Sequence, residues 1–507
     1  MSAVRFAPAL RGWRGDALAL MSGAPLPLAF APFGYYALPV LCFVGLLLAL
    51  NAQSARRGLW RGYLFGVASF LGGLYWIHVS IHVFGGAPLG LALALMLALV
   101  LFLAVYPALF GWALNRWFPN SDHWRILVAA PALWLLTEWL RGWLFSGFGW
   151  LGAGYTQSDG PLAALLPVIG VYGATFALLL ISASIVAWLT TARAAHALLV
   201  IPVVVVGSGL ALGPAQWSQP IGDTFRVALV QGAVPQDEKW LPGSLQPTVD
   251  LYLRLTDEHP DADLVVWPEA AIPTARHNLD PVFDALRRRG QRSGSDYLIG
   301  AVEVDRDTGA RLNTVVALGD SAANDQRYVK RHLVPYGEYF PVPGFVREWI
   351  RWMDLPYQDF TSGGAEQPLL RVAGQAVGVS ICYEDVFGNE LLSALPAASV
   401  LVNVSNDAWF GGSIAPHQHL QIARVRAMEA ARMLLRGTNN GISAVISASG
   451  DVQFRSPQFE PFVLTAQAQG RSGVTPYSRT GNTPLIVGTM ALLILAGWRS
   501  RRGVISE

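Results

Sequence analysis

The feature that most restricts this chain is a succession of apolar runs too long for a water-facing fold to hide. Seven precede Gly213, at approximately residues 17–32, 36–50, 64–83, 89–114, 126–140, 162–189 and 197–212, and an eighth covers 484–498. Crossing a bilayer takes about 20 mostly apolar residues in a helix, because every backbone amide must be satisfied within the segment. The first run is short and interrupted by Pro25 and Pro27. Charged residues make up 14% of the chain against 53% hydrophobic ones, where soluble proteins carry about 25% charge. The expectation is a multi-span α-helical membrane domain of about eight transmembrane helices.

From Phe225 to about Tyr477 the pattern changes to short β-branched runs alternating with charged helical stretches, none long enough to span. The sequence therefore predicts a seven-helix domain over 1–214, a water-facing α/β domain over 220–478 and a last helix over 483–500. Short cytoplasmic loops are enriched in Lys and Arg. Arg5, Arg11 and Arg14, then Arg56, Arg57 and Arg61, Arg116 and Arg125, Arg193, and finally Arg499, Arg501 and Arg502 all fall on one side if there are eight spans. Both termini are then expected in the cytoplasm and the α/β domain on the external face. Arg141 falls on the outer side, with Glu138 three residues away on the same helical face as its expected partner. No convincing cleavage site follows the first run, so an uncleaved anchor is expected. A net charge of +2 with no long basic run argues against nucleic acid. Cys42 lies in an apolar run and Cys382 in the polar domain, so a disulfide between them would have to join lipid depth to water.

Within the polar domain, Leu264-Val265-Val266 ends in Trp267-Pro268-Glu269. Pro268 cannot donate to a ladder, so a buried strand should stop there and present Glu269 at its C-terminal end. Val377-Gly378-Val379-Ser380-Ile381 ends at Cys382-Tyr383-Glu384-Asp385, and Val400 to Val404 runs into Ser405-Asn406-Asp407-Ala408-Trp409-Phe410. In layered α/β folds such strand ends converge on one site. Between the first two strands, Lys330 and Glu338 flank a turn in Tyr328-Val329-Lys330-Arg331-His332-Leu333-Val334-Pro335-Tyr336-Gly337-Glu338. Taken singly, a cysteine is more often a small buried hydrophobe, a strand-end Glu an ion-pair partner and a Lys a solvated cation.

Together these segments resemble the Glu-Lys-Cys constellation of the nitrilase superfamily, and specifically its membrane-embedded branch, the apolipoprotein N-acyltransferases. The likeness extends to Ser146-Gly147-Phe148-Gly149-Trp150, Gly154-Tyr155-Thr156-Gln157, Pro416-His417-Gln418-His419 and Thr438-Asn439-Asn440-Gly441. It implies an α-β-β-α sandwich for the polar domain, a triad of Glu269, Lys330 and Cys382, and supporting roles for Trp240, Glu338, Tyr383 and Glu384. It also implies a multi-pass enzyme of the bacterial inner membrane with a periplasmic catalytic domain, working as a monomer without a cofactor. In the implied reaction Cys382 takes an acyl chain from a phospholipid, with phosphatidylethanolamine the expected donor, and passes it to the α-amine of a lipoprotein's diacylglyceryl cysteine.

The chemistry suits the residue types. A free thiol has a pKa of about 8.5, so Cys382 needs a base to become a nucleophile, which Glu269 can be. Lys330 offers a cation to the tetrahedral oxyanion, and Glu338 is expected to orient Lys330 or share its proton traffic. Phe345, Trp349 and Trp352 share one face of a helical pattern, with Arg347, Glu348 and Arg351 elsewhere, as in an interfacial helix. Followed by Ser362-Gly363-Gly364, that segment is expected to form a lid that receives acyl chains. The alternatives are a membrane-tethered nitrilase-type amidase and a transporter with an external capture domain, although no internal repeat supports the latter. His417 and His419 lack further ligands at metal-binding spacing. Replacing both Trp349 and Trp352 by Ser should depress acyl transfer from phospholipid, and undiminished transfer in that variant would count against the lid.

Overall fold

The computed structural model describes residues 10–120, 122–190, 195–319, 326–341 and 359–505, with side chains up to Arg499. Phe345, Trp349 and Trp352 lie outside the described residues. The chain forms two compact units, one of residues 1–216, 412–421 and 479–507, the other of 217–411 and 422–478.

The first unit is helical. Helices Leu89–Leu103 and Val105–Trp117 follow one another as a 29-residue apolar stretch, and Ala163–Thr190 gives a second of 28 residues. Among the described residues, these two could cross a membrane by length and composition, or three if the pair Ala55–Leu74 and Ile77–Phe84, bent by 54°, is one span. That is fewer than the eight expected from the runs. Leu38–Leu50 is a 13-residue helix and so reaches only about 20 Å. At the expected first span, helix Trp13–Gly23 ends before Pro25, and a short turn, Leu26–Ala29, follows. Proline at those positions removes the amides that would continue the ladder.

Two arginines that charge counting treats as loop cations are buried here. Arg61 pairs with Asp16 at 2.9 Å and donates to the carbonyls of Leu10 and Gly12, and to that of Ala49. Arg125 donates to the carbonyls of Leu50 at 2.9 Å and Leu114 at 3.3 Å, and to Asn115 at 2.7 Å. The last carbonyls of a helix have no intrahelical partner, and a guanidinium carries five donors in a fixed fork. These side chains therefore tie off the ends of Leu38–Leu50 and Val105–Trp117.

Glu138 and Arg141 do not form the expected ion pair. Glu138 accepts from Thr175 at 2.7 Å, the Ala153 amide at 3.1 Å and the Trp134 indole at 3.2 Å. Arg141 donates instead to the carbonyls of Phe148 at 2.7 Å and Trp150 at 2.5 Å. The turn carrying those carbonyls is irregular, with positive φ at Phe145, Ser146 and Gly147, and buried backbone outside a regular ladder needs such side-chain partners. The segment 412–421, with the Pro416-His417-Gln418-His419 motif, belongs to this unit. Gln418 accepts from the Trp150 indole at 2.8 Å and the Trp76 indole at 3.2 Å, and His419 packs with its ring centroid 5.3 Å from that of Trp150.

The second unit holds two six-stranded sheets. Strands β1 (Ser218–Gln231), β2 (Leu264–Trp267), β3 (Asp296–Val304), β4 (Arg311–Gly319) and β5 (Arg327–Val329) join β12 (Phe462–Gly473) in the order β12-β1-β2-β3-β4-β5. Strands β6 (Leu370–Val372), β7 (Gln375–Ile381), β8 (Val400–Ser405), β9 (Leu434–Thr438), β10 (Ala444–Ile446) and β11 (Val452–Arg455) form the other, in the order β11-β10-β9-β8-β7-β6. Alternation along the strands separates two cores. Val227, Leu229, Leu264, Val266 and Val315 pack with Val377, Ile381, Val402 and Leu435 of the other sheet. Ala228, Val230, Val265 and Trp267 face the opposite way, against Tyr252 of helix Leu245–Asp257 and Phe283 of helix Asp280–Ser293. β1, β2 and β3 are mutually parallel, as are β7, β8 and β9, so the C-terminal ends of each set lie on one edge.

Removing the Glu138 carboxylate strands the Ala153 amide and the Trp134 indole, each at a cost of about 1–3 kcal/mol when buried, and leaves the Thr175 hydroxyl to the Val171 carbonyl. Glu138→Ala should lower the thermal midpoint of the detergent-solubilised protein clearly, with Glu138→Gln intermediate. An unchanged midpoint would mean that those donors have other partners.

Candidate active site

β2 ends at Trp267, and Glu269 follows Pro268, 7% exposed. β5 ends at Val329, so the next residue, Lys330, emerges on the same edge with 1% exposure. The Lys330 ammonium donates to Glu269 at 3.1 Å and to Glu338 at 2.8 Å. Asn313 of β4 repeats the bridge, its side-chain amide reaching Glu269 at 2.7 Å and Glu338 at 3.0 Å. The other oxygen of Glu269 accepts from the Asn406 amide at 3.0 Å, at the end of β8. The second oxygen of Glu338 accepts from the Val334 amide at 2.8 Å.

Cys382 follows β7, half-buried, with φ of +52°. Ala270, after Glu269, and Tyr336, between Lys330 and Glu338, have φ of +46° and +62°. Residues with a Cβ rarely adopt this region, and such strain persists where surrounding contacts over-determine it. At Cys382 those contacts are visible. Glu384 accepts from the amides of Ile381 at 2.6 Å, Arg331 at 2.7 Å and His332 at 3.1 Å, and from the Tyr328 hydroxyl at 3.1 Å. One carboxylate thus clips the loop carrying Cys382 to the loop carrying Lys330. Beneath them, fully buried Arg436 reaches Asp407 at 3.0 Å and Asp385 at 3.4 Å.

Burial pushes the Cys382 thiol up from its ordinary value, Glu269 and Asp407 add to that, and Lys330 and a hydrogen bond with Ser405 oppose it. The raised value favours the thiol over the thiolate at neutral pH. Burial pulls the Lys330 ammonium down, but Glu269, Glu338 and Cys382 outweigh it and hold the group well above the usual lysine range. Burial pushes the Glu384 carboxyl up to about 7 against the backbone amides that favour its charged form.

Of the residues singled out from sequence, Glu269, Lys330, Glu338 and Cys382 are brought into one charged cluster, and Glu384 braces it. Tyr383 is buried with its ring 5.2 Å from that of Phe387, and Trp240 is 53% exposed. Sequence reasoning missed Asn313. It is polar at a buried strand position, 4% exposed within β4, which was the available signal.

The chain was compared with known proteins. A family described as the apolipoprotein N-acyltransferase N-terminal domain matches residues 22–184, and the carbon-nitrogen hydrolase family matches 226–477. A protein of Methylococcus capsulatus named apolipoprotein N-acyltransferase is 42% identical over 494 residues, covering 97% of each chain. One of the same name from Vibrio cholerae is 41% identical over 488 residues, 95% of this chain and 96% of that one. A solved CN-hydrolase superfamily protein from Xanthomonas campestris is 19% identical and covers 53% of this chain and 97% of its own, with a TM-score of 0.37.

Glu269→Gln removes a charge that raises the Cys382 pKa and also removes the candidate base. Iodoacetamide should therefore label Cys382 faster at neutral pH in this variant, while thioester formation falls about 10²–10⁴-fold. Slower labelling would contradict the electrostatic assignment.

Proposed function

The chain belongs to the apolipoprotein N-acyltransferase family, a membrane N-acyltransferase with a carbon-nitrogen hydrolase domain, and on that premise we propose how its residues carry the reaction. The observation that supports the assignment is one buried ammonium shared by two carboxylates beside a cysteine held at positive φ.

In the first half-reaction the Cys382 sulfur attacks an ester carbonyl of a phospholipid, phosphatidylethanolamine being the donor proposed. Glu269 takes the thiol proton as the C–S bond forms. The tetrahedral oxyanion develops within reach of Lys330, and one such donor is worth about 3 kcal/mol. The C–O bond then breaks, Glu269 protonates the leaving oxygen, and a lysophospholipid departs. In the second half-reaction the α-amine of a diacylglyceryl cysteine attacks the thioester. A C–N bond forms and the C–S bond breaks, with Glu269 carrying the amine proton back to sulfur. Glu338 and Asn313 hold Lys330 and Glu269 in register, Glu384 and Tyr383 support the cysteine loop, and exposed Trp240 offers an aromatic face to the incoming lipid.

We place the eight helical segments across the bacterial inner membrane, with both termini cytoplasmic and residues 220–478 periplasmic. The arginine distribution supports that orientation. The enzyme is proposed to act as a monomer.

Incubation with phosphatidylethanolamine alone should add one acyl mass to the intact protein, removable by hydroxylamine and absent from Cys382→Ser. An amidase would release its acyl group to water without needing an amine, so accumulation of free fatty acid with no transfer to a diacylated lipopeptide would overturn the reading.

A further inference from the structure

The segment linking β1 to helix Leu245–Asp257 inverts the usual distribution of residues. In Pro235-Gln236-Asp237-Glu238-Lys239-Trp240, Lys239 is 0% exposed while the adjoining Trp240 is 53% exposed. Lysine is almost never fully buried unless paired. Among the described residues the Lys239 ammonium nevertheless has no hydrogen-bond partner.

Its surroundings connect it to the active site. Gln236 accepts from the Asn406 side chain at 2.8 Å, and the Asn406 amide donates to Glu269 at 3.0 Å. The turn that buries Lys239 is thus fixed to the oxygen of Glu269 that Lys330 leaves free. Burial pushes the Lys239 ammonium down to about 8, and the charge of Glu269 opposes that fall. The charges at the site are Glu269, Glu338 and Lys330, with Cys382 beside them, Glu384 held by the amides of Ile381, Arg331 and His332, and Asp385 and Asp407 on Arg436 behind. Carboxylates outnumber cations in each group, and an uncompensated buried charge is costly.

We propose that Lys239 is a positioning residue for the acyl transfer, its buried ammonium acting as a second counter-charge to Glu269 and setting how readily that carboxylate accepts the Cys382 proton. This rests on Glu269 being the base. With Lys239 charged, the cluster tolerates negative charge developing on sulfur and on the oxyanion. Once Lys239 loses its proton, the cluster gains net negative charge and the same step is opposed.

The test uses the full chain in detergent micelles with phosphatidylethanolamine, following the rate of Cys382 thioester formation by intact mass from about pH 5.5 to about pH 9.5. The wild type should lose rate as the pH rises through about 8. Lys239→Met should move the rising acid limb upward by about one pH unit, about ten-fold in rate on that limb. Lys239→Arg, charged throughout, should keep the acid limb and lack the fall near 8. A wild-type profile with no falling limb there, or a Lys239→Met profile scaled down equally at every pH, would overturn the proposal. If thermal midpoints show that neither variant folds, the wild-type limb alone decides. Absence of any thioester in the wild type would instead sink the role of Cys382, an outcome separable from failure at Lys239.

Discussion

A buried ammonium is costly unless carboxylates compensate it, and the second unit is organised around one that is so compensated. Lys330 is fully enclosed and held charged by Glu269 and Glu338. The two carboxylates come from different places in the chain, one at the end of β2 and one in the loop beyond β5. The ion cluster can therefore exist only when the first sheet is complete and its edge loop is folded back. Asn313, bridging the same two oxygens from near the start of β4, makes that geometry rigid. The general point is that a buried cation shared between two anions specifies a unique arrangement, because loss of either partner leaves an uncompensated charge.

The cysteine is fixed by different means. Its backbone lies in a region that costs of order 1–3 kcal/mol for a residue with a Cβ, and the return is a sulfur projecting from a strand end. Glu384 keeps it there, by gathering amides from the Cys382 loop and from Arg331 and His332. The clip also ties the loop after β7 to the loop after β5, since the amides of Ile381, Arg331 and His332 share one carboxylate. Arg436, between Asp385 and Asp407, supplies the floor on which that loop and the end of β8 rest.

In the first unit, buried polar groups are again what fixes the helices. Arg61 and Arg125 close the carbonyl ends of helices, and Glu138 joins a helix, a loop and a neighbouring helix through three donors. Charge counting along the sequence assigns Arg61 and Arg125 to water-facing loops, because it assumes that a cation seeks solvent. A guanidinium surrounded by carbonyls satisfies the same donors without water, so those positions contributed to the orientation argument while serving a different physical purpose.

Much was legible before any coordinates. Alternating β-branched runs ending in Pro268, Cys382 and Ser405 gave strands with chemistry at their ends, since a strand's period and its terminator are local properties. Apolar runs gave the helices Leu38–Leu50, Leu89–Leu103 and Val105–Trp117, whereas the first run breaks at its prolines. What only the tertiary structure decided was who meets whom: that Asn313 duplicates the bridge of Lys330, that residues 412–421 belong with the helical unit, and that Lys239 is buried while Trp240 is not. Those outcomes depend on pairings between residues from 25 to 268 positions apart. Local pattern fixes which side of a strand or helix a residue occupies, whereas its electrostatic environment is set by what the rest of the chain brings against it.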